Sequence, residues 1–459
     1  MKITVLHGSP KGDISVTMQY IRFLQQQFPE HTFTVWQIAQ QSRLIEQDEA
    51  RFKDILRNVA EADGILWSFP LYYYLVPAQY KRFIELIRER QAEEYFQGKY
   101  TAVLTTSIHF FDHTAHNYMH AIADDLAMKY YGGYSAAMQD LLQTAGQQRL
   151  TLFARNFLAA IASAQATAKA YLPLIPVTHA YTPALSQPPL DPQGRKILIL
   201  HDALLPSQTN LTNMLTAYAA SYSQKPDIIN LRDLSIKGGC LGCIRCAYDN
   251  TCVYGNKDDF ITFFNTKVKP ADIIIMAGAI HDRYLSSRWK TFFDRSFFNN
   301  HVPALKGKQL GFIVSGPLAQ LANLRQTLEA YTELQEANIA GIVTDEPESA
   351  ASIDKLLYQL AKTGIEHSLQ NYLQPPSFLS VGGHKIFRDA IWGELRFPFI
   401  ADHQYYKQNG RYDFPHRQYA SRLFAAILSV AAKLPFIRRQ LYSEQIKEHM
   451  IKPFQKIFQ

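Results

Sequence analysis

Cysteine is scarce in this chain: 459 residues hold four, and all four fall between Cys240 and Cys252. A disulfide framework spread through the fold is therefore excluded. No apolar run approaches the roughly 20 residues needed to span a bilayer. No leader-like segment stands ahead of the strand-like opening Met1–His7 (MKITVLH). A reducing, cytoplasmic location is expected, where clustered thiols favour metal binding over disulfides. Surplus positive charge is also missing from most of the chain. Residues 374–459 carry 13 Lys/Arg against 6 Asp/Glu, which accounts for the whole net charge of +7 and leaves the first 373 residues neutral. Nucleic acid is thus not an expected partner for the body of the protein. With 47% hydrophobic and 19% charged residues, neither a disordered nor a membrane composition fits. The length points to two or three domains.

What is present is a repeated grammar. An apolar strand (Ile3–Leu6), a Gly/Ser turn (Gly8-Ser9-Pro10) and an amphipathic helix from about Ser15 open the chain. Further strands are expected near Thr34–Gln37, Gly64–Ser68, Thr101–Thr106 and Tyr134–Met138, with a long Ala-rich helix over Gln147–Ala170. Strands alternating with helices imply a parallel, doubly wound sheet. After the turn-rich stretch Ser186–Gly194 the pattern restarts: Lys196–His201 echoes Lys2–His7, and Lys290–Arg295 sits where Lys81–Leu86 sits in the first half. Gln309–Ser315 and Ala340–Thr344 match the fourth and fifth strands. Such self-similarity is the mark of duplication. The offset grows from 194 positions (Lys2 to Lys196) to 209 (Lys81 to Lys290), so 15 residues have entered the second half between its second and third strands. All four cysteines lie in that insertion.

Their spacing is Cys240-x2-Cys243-x2-Cys246-x5-Cys252. Two-residue intervals let a tight loop turn several thiolates toward one small polyhedron. Gly238, Gly239 and Gly242 supply the backbone freedom that wrapping needs. Structural zinc, unrelated buried thiols and disulfides are the competing readings. Together with Gly255, Asp258 and Asp259, the motif resembles that of the iron–sulfur flavoproteins. The resemblance covers Lys196 to about Pro317. It implies a 4Fe-4S cluster on Cys240, Cys243, Cys246 and Cys252, in a flavodoxin-like domain that also binds FMN.

In a doubly wound sheet, ligands sit at the carboxyl ends of the strands. The first such turn, Gly8 to Thr17, offers hydroxyls at Ser9, Ser15 and Thr17, with Lys11 between them, and helix N-terminal amides suited to a phosphate. A plain helix cap would use the same residue types. The third-strand loop, Phe69-Pro70-Leu71-Tyr72-Tyr73-Tyr74, resembles the Phe-Pro-Leu-aromatic loop of flavodoxin-like NAD(P)H:quinone reductases within the NAD(P)H-dependent FMN reductase group. That resemblance spans about residues 1–175 and implies that Pro70, Leu71, Tyr72 and Tyr73 line a flavin ring. It gives Thr106, Ser107 and His109 of the fourth-strand loop the other flavin contacts. His113 and His116 crowd the same loop, and surface histidines without a role are an equal reading of all three. The second half has a poorer turn: Asp202 stands where a phosphate would lie, although Ser207, Thr209 and Asn210 could still serve. One FMN, in the first half, is expected.

The fold class expected is thus α/β: two tandem flavodoxin-like, doubly wound, parallel five-stranded sheets plus a helical C-terminal extension. The expected domains are residues 1–185, binding FMN, residues 195–372, carrying the cysteine loop, and residues 373–459, basic and aromatic-rich. Within the last, Asp389–Tyr412 is rich in aromatics and Arg422–Leu434 reads as an apolar helix, with basic residues following to Lys456. The extension reads as a cap on a sheet or a dimer partner; a membrane surface is a less favoured partner for it. The function expected is an FMN- and 4Fe-4S-dependent oxidoreductase exchanging electrons between NAD(P)H or a ferredoxin-like donor and an organic acceptor. The resemblance implies an oligomer, with a homodimer expected, in which a cluster faces a flavin of another subunit. Because the cysteines lie in the second half and the better flavin turn in the first, the same pairing is expected across a domain interface within one chain. A cluster-free NAD(P)H:quinone reductase, with zinc or free thiols in the loop, and a non-catalytic electron carrier are the alternatives. No residue is assigned a catalytic proton-transfer role.

Overall fold

The structure is a computed structural model and describes residues 1–184, 187–204, 209–413 and 419–442. The first repeat runs β1 (Lys2–His7), α1 (Val16–Gln27), β2 (Thr32–Gln37), α2 (Ser42–Gln47), α3 (Glu49–Glu61), β3 (Gly64–Pro70), α4 (Ala78–Glu89), β4 (Tyr100–Ser107), α5 (Asp112–Asp125), β5 (Lys129–Ala137) and α6 (Thr144–Ala162). Its strands are all parallel, in the order β2-β1-β3-β4-β5. β3 and β4 are buried almost throughout, because helices cover both faces of the sheet centre. The chain crosses between β1 and β3 so that their carboxyl ends open a crevice, the binding place of doubly wound sheets.

The second repeat follows the same course: β6 (Ile197–His201), α7 (Asn210–Ala220), β7 (Asp227–Asn230), α8 (Phe260–Phe263), β8 (Ile273–Ala279), α9 (Ser287–Ser296), β9 (Gln309–Ser315), α10 (Ala322–Leu334), β10 (Asn338–Thr344) and α11 (Ala350–Leu369). Its parallel order, β7-β6-β8-β9-β10, repeats that of the first sheet. The duplication read from sequence is therefore structural. The cysteine-bearing insertion falls between β7 and β8, as its offset implied.

Two element boundaries differ from expectation by five residues or more. The Ala-rich helix ends at Ala162 instead of reaching Ala170. Ala164 turns left-handed (φ +49°), and Gln165 N–H reaches back to the Ala160 carbonyl, closing the helix by a tight C-terminal turn. Asp124 then holds the onward chain through the Ala170 and Tyr171 N–H groups at 2.9 Å. The fifth strand begins at Lys129, five residues before the expected Tyr134, since its Tyr/Gly-rich sequence gives no clear alternation.

The repeats meet through α4 and α9, and the contact is pseudo-symmetric. Ala78 N–H, at the start of α4, donates to Asp294 of α9 at 2.8 Å, and Ser287 N–H, at the start of α9, donates to Glu85 of α4 at 2.5 Å. Lys81 and Lys290, both wholly buried, complete the network. Lys81 bonds Glu85 and Asp282, and Lys290 bonds Asp294 and the Tyr72 carbonyl.

The C-terminal part forms α12 (Phe378–Trp392), α13 (Ile400–Gln408), α14 (Tyr419–Ala431) and α15 (Pro435–Leu441). The chain divides into two compact units between Gln404 and Tyr405, so α12 belongs with the two sheets. In the second unit, α14 covers most of the expected Arg422–Leu434 helix and exposes Leu423, Phe424, Ile427 and Val430. Of the basic residues that follow, Arg438 and Arg439 stand in α15, and those from Lys447 to Lys456 lie outside the described residues. Among the described residues no helix is long and apolar enough to cross a membrane.

Candidate functional site

At the end of β1 the chain turns sharply into α1. Gly8 is pressed so closely onto β3 and α4 that a Cβ there would lie 2.7 Å from Phe69 Cβ and 2.8 Å from the Tyr80 ring. Ser9, Ser15 and Thr17 are all buried in the turn. Ser15 caps α1, accepting the Met18 N–H at 3.1 Å, and also bonds His7 Nε2 at 3.0 Å. The capping role and a place at the ligand end of the turn thus coincide in one residue. Thr17 Oγ1 meets Thr106 Oγ1 at 2.6 Å, tying the helix start to the end of β4. Burial lowers the pKa of His7 to about 4, so it is neutral near pH 7. Lys11 and the helix N-terminus supply the positive potential of the turn.

The loop after β3 forms the adjoining wall. Leu71 N–H donates to the Thr106 carbonyl at 3.1 Å, and Tyr72 and Leu75 exchange backbone hydrogen bonds at 2.9 and 3.1 Å. This tight turn holds Tyr73 and Tyr74 in left-handed conformations (φ +36° and +67°). Non-glycine residues persist there only when packing over-determines them. Tyr73 is wedged against Phe297 and Tyr331, and Tyr74 against Phe110 and Phe111. Tyr72 Oη is buried without a hydrogen-bond partner in the protein. Burial, first of all, raises its pKa well above the ordinary range, so the phenol stays protonated and can donate to a ligand.

These segments line one cavity of about 450 Å³. It gathers ten of the eleven expected flavin contacts: Ser9, Lys11, Ser15, Thr17, Pro70, Leu71, Tyr72, Tyr73, Thr106 and Ser107. His109 is not among the lining residues; it is half exposed and bonds Asp112 at 2.8 Å. His113 bonds Gln326, and His116 is half-buried with a bond to Thr105 Oγ1, its pKa lowered to about 4 by desolvation. The cavity suits FMN: hydroxyls, Lys11 and a helix N-terminus at one end fit a phosphate. Apolar and aromatic walls with an unpartnered phenol at the other fit a flat ring system.

The cysteine loop of the second repeat lies on this cavity. Cys240, Gly242 and Ile244 are lining residues. Gln79 Nε2, from α4, donates to the Cys240 carbonyl at 3.1 Å. A Cβ on Gly242 would lie 1.8 Å from Tyr72 Oη, and the residue is left-handed (φ +62°). Only glycine fits there. The base of the loop is fixed by Arg295, whose guanidinium makes paired bonds to Asp258 (2.7 and 3.0 Å) and one to the Gly238 carbonyl (3.0 Å). Asp259 accepts the Ser235 N–H at 2.7 Å.

All four thiols are free, and they are unequally placed: Cys246 is buried, Cys240 and Cys252 are half-buried and Cys243 is exposed. Burial, before any other cause, pushes the Cys240 and Cys246 thiols up to about 12. Among the described residues no group of three or more His, Cys, Asp or Glu side chains is disposed to hold a metal ion. The expected ligand set of Cys240, Cys243, Cys246 and Cys252 is therefore not assembled in this structure. The four side chains lie at unequal depths, from buried Cys246 to exposed Cys243.

In the second repeat, residues 205–208 of the corresponding turn lie outside the described residues, and the described side chains around it are engaged with one another. Asp202 is buried and hydrogen-bonded by Ser286 Oγ, with its pKa raised by burial. Asn210 is taken up by the His179 carbonyl, Tyr181 N–H and Asp345 at 2.8–3.0 Å. Thr209 caps α7, and Ser207 lies outside the described residues. Asp345 also accepts Ser315 Oγ–H and Gly316 N–H, both at 2.7 Å. Carboxylates of the chain thus occupy positions that an anion would need.

Sequence reasoning missed the far wall of the cavity. Phe297, Asn300 and His301 come from the end of α9 and beyond, and Phe387 and Phe399 from the C-terminal extension. The aromatic richness of the extension was a visible signal, but nothing local tied it to the first repeat.

No curated protein matches the chain. Solved structures similar to parts of it include FerB, a flavoenzyme NAD(P)H:(acceptor) oxidoreductase from Paracoccus denitrificans (17% identity, 35% of this chain and 97% of that one, TM-score 0.30). Also similar are an NADPH-quinone reductase from P. pentosaceus (17%, 34% and 97%, TM-score 0.28) and an FMN-dependent NADH-azoreductase from Bacillus anthracis in complex with FMN (14%, 36% and 100%, TM-score 0.27). The profile of one family, NADPH-dependent FMN reductase, matches residues 1–140 and again residues 196–343. With both repeats matched, over more than half of its length, the chain belongs to the NADPH-dependent FMN reductase family.

Proposed function

We propose that this flavin-dependent oxidoreductase holds one FMN in the first repeat and uses the cavity wall contributed by the second repeat and the extension to receive an organic acceptor. The observation that carries this reading is the single cavity lined at once by the phosphate turn, the aromatic loop, the cysteine loop and α12. Bound there, FMN would take a hydride equivalent from NAD(P)H and deliver it to the acceptor. The chain's own part is to bind and shield. Ser9, Thr17 and Lys11 hold the phosphate end, Pro70 to Tyr73 and Thr106 frame the ring, and Tyr72 Oη–H offers a proton to a ring oxygen or nitrogen. His109 would contact flavin only after leaving Asp112. The division of labour follows the repeats: residues 1–185 bind flavin, 195–372 supply the cysteine loop, and 373–459 begin with the cap over the cavity. The test is reconstitution with FMN. One FMN per chain, bound with submicromolar Kd and weakened at least tenfold in Thr17→Val, supports the reading; no FMN binding overturns it.

We further propose that the cysteine loop takes up a 4Fe-4S cluster. Supporting this are the two-residue spacings, the glycines around them and the mutual electrostatic influence of the four sulfurs. Zinc, or thiols left free as in a plain quinone reductase, is the competing occupant. Iron and acid-labile sulfide assays on anaerobically purified protein separate them; zinc or no metal would retire the cluster. A ferredoxin-like donor and a purely electron-carrying role depend on that cluster and fall with it. Any homodimer of the whole chain would need a surface other than α4 and α9, which are already paired internally. Free thiols in the loop accord with a reducing, cytoplasmic location.

A further inference from the structure

A row of large apolar side chains on α14 is left to solvent. Tyr419, Leu423, Ile427 and Val430 follow one another at intervals of four, four and three residues, which sets them in a single row along the helix. These four and the neighbouring Phe424 are 58–65% exposed, and Phe436 in α15 is 78% exposed. The cap expected of the extension does not account for them. That role falls to α12 and the residues just after it, through Phe387 and Phe399 in the cavity wall, whereas α14 belongs to the second compact unit. Rows of large side chains on helices ordinarily pack into a core, and an exposed one marks a surface that something else covers.

Charge around the row selects what that cover is. From Phe414 to Ser443 the sequence has five Lys/Arg and no Asp/Glu, although the first 373 residues are neutral overall. Arg422 and Lys433 flank the row and Arg438 and Arg439 follow in α15, all four with exposed side chains. A second copy of the chain would set this positive helix against itself, and like charges repel. Nucleic acid would meet the cations but leave Leu423, Phe424 and Ile427 without apolar contact. An anionic bilayer surface meets both demands: its acyl chains take the aliphatic and phenyl groups, and its phosphates meet the guanidinium and ammonium groups. The Tyr419 ring suits the headgroup level between them. With 13 residues α14 is about 20 Å long, and among the described residues no helix is long and apolar enough to cross a membrane. Such a helix lies in the plane of the interface.

We propose that α14 and α15 form a docking surface for an anionic lipid bilayer, with Leu423, Phe424 and Ile427 inserted among the acyl chains and Arg422, Lys433, Arg438 and Arg439 at the phosphates. Docking is peripheral and reversible, since each cation strengthens partitioning only about fivefold through the negative surface potential. Salt weakens that part of the attraction, and loss of the apolar side chains weakens binding at any salt. The surface is independent of the flavin site and of whether FMN binds there.

The test is co-sedimentation of the full chain with sucrose-loaded vesicles, made either of phosphatidylcholine alone or of phosphatidylcholine and phosphatidylglycerol in equal parts. The wild type is expected to bind the mixed vesicles at least roughly tenfold more strongly than phosphatidylcholine, and to lose that preference in high salt. Leu423→Asn combined with Ile427→Asn should bind the mixed vesicles at least roughly tenfold more weakly. Arg438→Gln combined with Arg439→Gln should bind them about 25-fold more weakly. Unchanged urea midpoints report that both double variants are folded; should the first not fold, the second decides alone. In Phe424→Trp the new indole should shift its emission to the blue on the mixed vesicles and be quenched by brominated acyl chains. A wild type that binds neither vesicle, or both equally, overturns the proposal, as does equal binding by wild type and the folded variants. A wild-type dimer in sedimentation velocity that becomes monomeric in the Leu423/Ile427 variant would assign the face to a second copy and likewise overturn it.

Discussion

Lys81 and Lys290 stand 209 positions apart and occupy equivalent places in the two repeats, each wholly buried where α4 packs on α9. Around them the repeats exchange caps: Asp294 takes the first N–H of α4, and Glu85 takes that of α9. The two lysines are not electrostatically equal. Burial opposes the charge of both, but Asp282 and Glu85 outweigh it at Lys81, whose pKa is held above its ordinary value. At Lys290 burial prevails over Asp294 and the pKa falls.

Lys81, whose carboxylate partners hold its pKa up, is the lysine whose removal should hurt more. Lys81→Met leaves Asp282 buried without its cation and Glu85 with Arg82 alone, at 3.2 Å, and breaking a buried pair from one side typically costs about 3–5 kcal/mol. Urea unfolding at pH 7 should show a loss of that order. A loss below about 1 kcal/mol would mean that the network is not what joins the repeats.

Gly242 couples the cysteine loop to the flavin wall. In Gly242→Ala the new methyl would overlap Tyr72 Oη, and the left-handed backbone would be strained as well. The loop must then lift from the cavity, and FMN should bind at least tenfold more weakly by fluorescence titration. Gly98, equally left-handed but with open space around it, is the control: Gly98→Ala should leave the FMN Kd unaltered.

Acid should destabilise the first repeat through two histidines. His7 and His116 each titrate near pH 4 in the folded chain, because burial disfavours their charged forms, against about 6.5 when unfolded. The unfolded chain therefore binds more protons between those values, and stability present above about pH 6.5 is lost as pH falls toward 4. Each histidine contributes about 3 kcal/mol to that loss. Urea midpoints measured from pH 7 to 4.5 should drop steeply in the wild type and less steeply in His116→Asn; parallel curves would refute the assignment.

One flavin, not two, is the expected stoichiometry, since the described side chains at the second crevice include the carboxylates of Asp202, bonded by Ser286, and Asp345, bonded by Ser315. Absorbance of FMN released from saturated protein should give one equivalent per chain. Asp202→Ser should not create a second high-affinity site, because Asn210 and Asp345 remain engaged with each other at 3.0 Å. Two equivalents in the wild type would contradict this account.

The sequence by itself determined the doubled α/β order, the place of the insertion and most of the flavin crevice, for a physical reason. Buried parallel strands are written as short apolar runs, and turns at their carboxyl ends as Gly, Ser and Thr, so β1, β3, β4 and the residues after them are local facts. The end of α6 was less legible, because Ala164 in a left-handed turn carries no glycine signal. Only the tertiary structure decided what faces the crevice. That Gly242 touches Tyr72 across 170 positions, that Asp202 occupies a would-be anion place, and that Asp402 grips His301 beside Phe387 depend on how α4 meets α9 and where α12 settles. Such contacts join segments whose own periodicities are independent of one another. Nothing in either stretch alone encodes the other, and the packing of the repeats is what brings them together.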